Sequence, residues 1–332
     1  MVLKNYRTIV STQTYSGSAT TTVTDLPRDF LIQRIVLDFY GTTTISSTST
    51  LVQDALLKCV KAIRIKAVGE GSSRTIFEVA GDDLYYLNFF DYGFSTALDN
   101  TDTSAAAHTQ TPGWTIAFRI SKDDPDDFSV AIPSYLLSTL QLEIEYDTSA
   151  NGYGTNVSSQ SFTMGITLIE GIPQPNENFA SNPLMTVLSK SITGDGTTGN
   201  EDFDTFFTVG ALIRRTFLRT ETSAGARSDD EINDYTVKSG QIPLMSIINY
   251  RANKTKDIEN YRLAELIDGF YNVKGFTMID FANNVQPFIP TAAGLKIDGL
   301  STVGYNVGDL LFSMDKANAS GLYVRIQESV EG

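Results

Sequence analysis

Only one cysteine, one histidine and one tryptophan occur in the 332 residues, and each scarcity removes a class of chemistry. A lone Cys59 cannot close an intramolecular disulfide or build a thiolate zinc cluster, so stability falls to burial and hydrogen bonding. It sits on the apolar stripe of an expected helix, the position of an inert packing thiol. A lone His108 excludes zinc sites built on histidine pairs and forces any Ser-His-Asp or Cys-His mechanism through one residue, with no G-x-S-x-G elbow to accompany it. It is expected in a loop over 105–113. Nowhere do eighteen apolar residues follow one another, and residues 1–7 run into a Thr/Ser-rich stretch. The sequence therefore predicts no membrane span and no secretory signal, and a chain soluble as made.

Basic side chains are also in short supply. Lys and Arg number 25 against 39 Asp and Glu, a net charge of −14, which repels phosphate backbones and argues against direct nucleic-acid binding. The deficit is uneven: residues 1–66 carry eight basic and four acidic side chains, +4, leaving −18 for the rest. Ordinary solvated strand faces account best for this, with a basic N-terminal region facing an anionic surface or an acidic neighbour as the alternative.

What is present is a packed protein. A composition 41% hydrophobic and 11% aromatic can offset the conformational entropy of folding, and the length exceeds what one core usually serves, so two domains are expected. Leu140–Tyr146 and Trp114–Ile120 alternate large apolar with smaller or polar residues, as half-buried strands do. Leu31, Ile35, Leu37 and Phe39 share one strand face, and Ile63 and Ile65 oppose Arg64 and Lys66. The runs 207–218, 275–281 and 322–326 have the same texture. With Gly, Pro, Asn and Asp clusters between them, these segments predict an all-β, antiparallel, sandwich-like fold. Helical patterning is confined to Ser49–Val60 and, more weakly, Ile258–Ile267.

Pro173 and Pro175 stiffen the chain and bar a central strand, so 173–178 is expected to be a linker between domains at 1–172 and 179–332. The two parts echo each other. Residues 162–171 resemble 322–332, and Gln33–Leu37 resembles Arg214–Leu218, favouring a duplicated domain.

Several motifs are decoys. Residues 194–199 spell G-x-G-x-x-G, but three acids follow where a phosphate would sit, so the segment is expected to be a hairpin loop. The acid clusters 123–127 and 228–234 lack the spacing of an EF-hand loop and read as solvated turns in preference to weak calcium sites. Glu143 and Glu145 share a strand face and could serve a glycosidase only at a separation the sequence does not fix. Sequons at Asn156, Asn253 and Asn318 are what a Ser/Thr-rich chain shows by accident.

The order of elements resembles the double jelly-roll major capsid proteins of tailless icosahedral viruses of bacteria and archaea. The stretches that carry the resemblance are Asp25–Leu37, Leu51–Ala67, Phe128–Leu137, Gly210–Arg215 and Gly275–Phe281. It implies two tandem eight-stranded antiparallel jelly rolls with a few short inserted helices. It also implies a structural, non-enzymatic subunit without cofactor or metal, which trimerises into pseudo-hexameric capsomers tiling an icosahedral virion capsid and is made in the host cytoplasm. Implied partners are further copies of the chain, other virion proteins and an internal lipid membrane near the N-terminus. Both sandwiches would stand upright in the shell with the N-terminus inward, which nominates Lys4 and Arg7 as inward-facing positions. The long amphipathic N-terminal helix that some relatives use at the membrane is missing, which weighs against direct lipid contact. The long stretches Asp91–Thr111, Asp147–Ser159 and Thr220–Asp234 are expected to form outer towers or contacts between capsomers. A carbohydrate- or receptor-binding β-sandwich, such as a phage spike or adhesin, stays open as an alternative, but it would need an exposed aromatic platform, and Trp114 is expected in the core.

Overall fold

A computed structural model describes residues 3–9, 13–69, 72–92, 103–121, 124, 126–173, 179, 182–261, 273–281, 288–290 and 296–331. The chain divides into two compact units, Met1–Asn182 and Pro183–Gly332. Asn182 Nδ2 donates to Phe128 O at 3.1 Å, and Phe179 packs on Leu31, Phe128 and Ala131. Both residues therefore side with the first unit. Of the expected linker, residues 174–178 lie outside the described residues.

The first unit has eight principal strands: β1 (Leu3–Ile9), β2 (Thr20–Asp25), β3 (Leu31–Ile45), β4 (Val60–Gly69), β5 (Ser72–Val79), β6 (Gly113–Ala117), β7 (Thr139–Tyr146) and β8 (Val157–Ile172). They pair in two antiparallel sheets, in the orders β1-β8-β3-β6 and β2-β7-β4-β5. The second unit has β9 (Leu184–Ile192), β10 (Gly199–Phe203), β11 (Leu212–Glu221), β12 (Ile232–Ser239), β13 (Ile242–Pro243), β14 (Phe276–Asp280), β15 (Leu310–Lys316) and β16 (Leu322–Glu331). Its orders are β9-β16-β11-β14 and β10-β15-β12-β13. Adding eight to each strand of the first unit gives the second, and the order is that of a jelly roll. The segments that echo each other in sequence, in β3 and β11 and in β8 and β16, occupy equivalent places.

Sheet faces follow the alternation. In β7, Leu140, Leu142, Ile144 and Tyr146 are buried while the residues between them are half-exposed. The core of the first unit centres on Phe39, whose ring centroid lies 4.7 Å from Phe162, 6.0 Å from Trp114 and 6.0 Å from Tyr146, itself stacked at 5.0 Å on Tyr15. In the second unit Phe312 takes that role, 4.0 Å from Phe206 and 5.4 Å from Tyr235.

The helices correct several expectations. The expected helix Ser49–Val60 shrinks to α1 (Ala55–Lys58), because Asp54 takes φ 59° and Leu51 forms a bridge with Gly154. An unexpected helix, α2 (Gly81–Tyr92), follows β5. A single turn, α3 (Ser149–Gly152), starts where Thr148 Oγ1 accepts the Asn151 N–H. The expected helix at 258–267 instead forms as α4 (Tyr250–Tyr261), with 262–267 outside the described residues. Both 12-residue helices fall in the same connection, between the fifth and sixth strands of their unit. The expected hairpin at 194–199 is instead a crossing between sheets, since β9 and β10 pair in different ones. His108 lies not in a loop but in a short strand, Ala107–Gln110, paired with β3.

Candidate assembly surface

A β-sandwich can join copies of itself through edges, faces or loops, and an open edge invites uncontrolled pairing. One edge is closed in the same way in each unit. Asn88 of α2 donates from Nδ2 to Thr115 O at 2.8 Å and accepts the Thr115 N–H on Oδ1 at 2.8 Å. Its amide stands where the next strand beside β6 would. The helix is pinned by Trp114 Nε1–H on Gly81 O at 2.7 Å and by the Tyr86 hydroxyl on Asp54 Oδ1 at 2.7 Å. In the second unit Asn253 of α4 donates to Met278 O at 3.0 Å while Asp257 accepts the Met278 N–H at 2.9 Å. Both groups of the β14 backbone are again satisfied by helix side chains.

Asp257 also accepts from Thr277 Oγ1 at 3.0 Å and Asn253 Nδ2 at 3.4 Å, and Tyr235, Tyr250, Lys254 and Lys256 surround it. Burial outweighs these donors and lifts its carboxyl from 3.8 to about 7. A carboxyl that holds its proton more tightly when folded stabilises fully below the unfolded pKa, and that contribution is lost as pH rises from about 4 through 7. Between pH 5 and 8 the midpoint of urea unfolding of the native chain should therefore fall relative to Asp257→Asn. Parallel pH profiles for the two proteins would refute this assignment.

The β1 edge is not closed in this way. Among the described residues β1 has no strand partner beyond β8, and it exposes Leu3 and Tyr6. In each unit the first and last strands carry the chain ends to one end of the sandwich. Leu3 pairs with Ile172, and Leu184 with Glu331. In the second unit this end displays Ile242, Val303 and Val307 at 69%, 72% and 73% exposure, an unusual concentration of bare aliphatic side chains. The loop carrying both valines is tied at each side, by the Gly210 N–H to Thr302 O at 3.2 Å and the Gly240 N–H to Asp309 O at 3.1 Å. The stretches expected to form towers belong to the opposite ends: Asp91–Thr111 joins β5 to β6, Asp147–Ser159 leads into β8, and Thr220–Asp234 spans the β11–β12 turn. Residues 93–102 of the first lie outside the described residues.

Lys4 and Arg7 both lie on β1. Lys4 Nζ is 2.5 Å from Asp126 Oδ1. Arg7 is 2.7 Å from Asp29 Oδ2 and 3.0 Å from the buried Glu170, over the ring of Phe30. These cations fasten β1 to the connections beside it.

The remaining candidates are structural. Arg64 lies 2.9 Å from Glu143 and 2.8 Å from Glu145, with Lys66 and Lys61 completing the ladder at 2.6 and 2.7 Å. Lys66 holds Glu143, and Lys61 holds Glu145, below the ordinary carboxylate range, with Arg64 adding to both. Neither carboxyl is the proton-holding acid that glycoside hydrolysis requires. Burial pushes the Cys59 thiol up to about 12, as suits a packing group. His108 Nε2 lies 3.0 Å from Ser104 O. Trp114 is buried in the core and offers no exposed platform.

Asp127 accepts the N–H groups of Ile120, Ser121 and Ser129, while Asp229 and Asp230 pair with Lys254 and Arg251. No acid cluster suited to a metal occurs among the described residues. Among those residues no helix is long and apolar enough to cross a membrane. Asn253, a sequon residue, is buried and bonded to β14, closed to a glycosylating enzyme. Asn156 and Asn318 donate to Thr48 O and Asp230 O, respectively, from exposed sites.

No protein-family model and no curated protein matches the chain. Solved structures do. The STIV MCP, from Sulfolobus Turreted Icosahedral Virus, is 14% identical over 98% of this chain and 96% of its own, with a TM-score of 0.74. The major capsid protein P2 of bacteriophage PM2 is 12% identical over 99% and 98%, at 0.59. A chain of the PBCV-1 virus capsid is 10% identical over 99% and 94%, at 0.61. Two jelly rolls in tandem, aligned from end to end with these viral chains, give this protein the double jelly-roll fold of icosahedral-virus major capsid proteins.

Proposed function

We propose that the chain is a major capsid protein, a structural subunit that trimerises into pseudo-hexameric capsomers of an icosahedral shell. The observation that carries this reading is the repetition of one strand order in two units, matched over nearly the full length of chains whose own work is to build shells. Three chains with two equivalent sandwiches each present six similar modules, the count a hexagonal lattice position needs. The module boundary is proposed just beyond the 173–178 linker, between Asn182 and Pro183.

In this reading the ends that carry the chain termini face the particle interior, and the tower connections face outward. Lys4 and Arg7 then stand on the inner side. Because both are already ion-paired, they add little attraction toward an anionic membrane. The closed edges beside β6 and β14 leave loops, faces and the β1 edge for contacts with neighbouring copies and other virion proteins. Obligate contacts of this kind commonly bury 2,000 Å² or more.

Light scattering of purified protein tests the proposal. The expected mass is three times the 36.3 kDa chain, with hexagonal outlines in electron micrographs. A chain that stays monomeric at high concentration and yields no larger assemblies would refute it.

A further inference from the structure

The inner face of β16 carries an unexpected charge. Tyr323 points into the core of the second unit, and strand alternation sends Arg325 and Gln327 to the same side, with Arg325 opposite the core residue Leu218. Arg325 is 2% exposed. Its Nη1 donates to Gln327 Oε1 at 2.6 Å and to Thr208 Oγ1 at 3.3 Å, and its Nε has no partner. Among the described residues no carboxylate pairs with it. The other buried arginines of this unit that lie near Glu328 have that acid; this one has only neutral oxygens.

Beside it lies a cavity of about 250 Å³ lined by Thr186, Thr208, Arg325, Gln327, Ser329 and the acidic Glu331, among others. Glu331 stands six residues further along the strand, about 20 Å at a rise of ~3.3 Å per residue, too far to pair with the guanidinium. Thr208 and Gly210 are exposed, so the cavity is open to solvent on their side. Gln327 is fully committed: Oε1 also accepts the Thr208 N–H at 2.9 Å, and Nε2 donates to Thr208 O at 2.8 Å and Ser329 Oγ at 2.7 Å. The glutamine thus fixes the guanidinium and the 208–210 loop in one arrangement; with both Nη1 protons used and Nε enclosed, the two Nη2 protons are left to whatever fills the space.

We propose that this cavity is a binding site for a small inorganic anion, which serves as the counter-ion of Arg325 and braces the second jelly roll. An isolated buried cation is costly, and its cost is relieved by a paired charge with hydrogen bonds. Burial alone already draws the guanidinium pKa down to about 10, the mark of a charge without a partner of opposite sign. Hydroxyls at Thr186, Thr208 and Ser329 suit a halide or a compact oxyanion, whereas the volume excludes a nucleotide.

The test is thermal unfolding of the full chain at fixed ionic strength, with sodium gluconate exchanged stepwise for sodium chloride and, separately, for sodium sulfate. Native protein is compared with Arg325→Met and Arg325→Gln. The native chain should gain stability along a saturating curve with at least one of the two anions, reaching about an eleven-fold shift of the folding equilibrium at ten times the dissociation constant. Both variants should keep only the non-saturating salt response and should equal or exceed native stability when neither anion is present. Native and variant curves of the same shape in both salts would overturn the proposal. Should a variant fail to fold, chloride-35 line broadening on native protein decides: broadening that sulfate or unlabelled chloride competes away supports the site, and no broadening above that of a protein without such a cavity refutes it.

Discussion

Replacing Glu328 by alanine should destabilise the second unit by about 3–5 kcal/mol, the cost of leaving buried charge without its counterpart. Glu328 is 3% exposed; one carboxylate oxygen lies 2.7 Å from Arg214 Nη1 and the other 3.1 Å from Arg215 Nε. Both arginines sit on β11, beside Glu328 on β16. A β-bulge between Ile213 and Arg215 lets two consecutive arginines reach one acid. Removing Glu328 and Arg214 together, as in Arg214→Met with Glu328→Leu, should cost clearly less than the single change, since Arg215 still faces the buried Asp280 of β14 and apolar replacement of a buried ion pair is often neutral or stabilising. Urea midpoints of the two proteins measure this. A Glu328→Ala protein within about 1 kcal/mol of native would show that the cluster is solvated and electrostatically minor.

Phe39→Ala should cost the first unit a similar amount, about 3–5 kcal/mol, through lost transfer energy and the cavity left behind. Phe39 is fully buried and its ring contacts those of Tyr15, Trp114, Tyr146 and Phe162, which come from both sheets, so no single strand can shift to fill the gap. Phe39→Leu should cost clearly less. Fluorescence of Trp114, the only tryptophan, reports this unit alone and gives a direct readout. Equal midpoints for the alanine and leucine proteins would mean that the site collapses freely.

Much of the architecture was legible because sandwich strands announce themselves by alternation. β4 and β7 read correctly from Ile63, Ile65 and Leu140–Tyr146, and the likeness between β3 and β11 was legible because both are central strands of equivalent sheets. The helix α2 was not. Ten of its residues, Gly81 to Phe90, are buried, so it has no polar stripe, and a helix wrapped by protein on all sides loses the 3.6-residue signal. Helix α1 was overread because an apolar stripe cannot reveal that Asp54 turns left-handed. The helix side chains that close β6 and β14 were invisible for another reason. An asparagine beside aromatic residues looks like any polar helix position until the strand it caps is known. In β16 alternation is plain but its sign is not: Val324 and Ile326 look like the inward face, whereas Arg325 and Gln327 share the side of Tyr323. The ladder around Glu143 and Glu145 depended on register, which fixes Glu143 opposite Arg64.

The buried thiol of Cys59 makes the native chain silent to maleimide reagents. A cysteine introduced at Ala224, in the β11–β12 turn, or at Gln241, between β12 and β13, would become the sole labelling handle; both positions are exposed. These handles mark opposite ends of one sandwich, so comparing their modification before and after particle formation would tell which end meets the outside world.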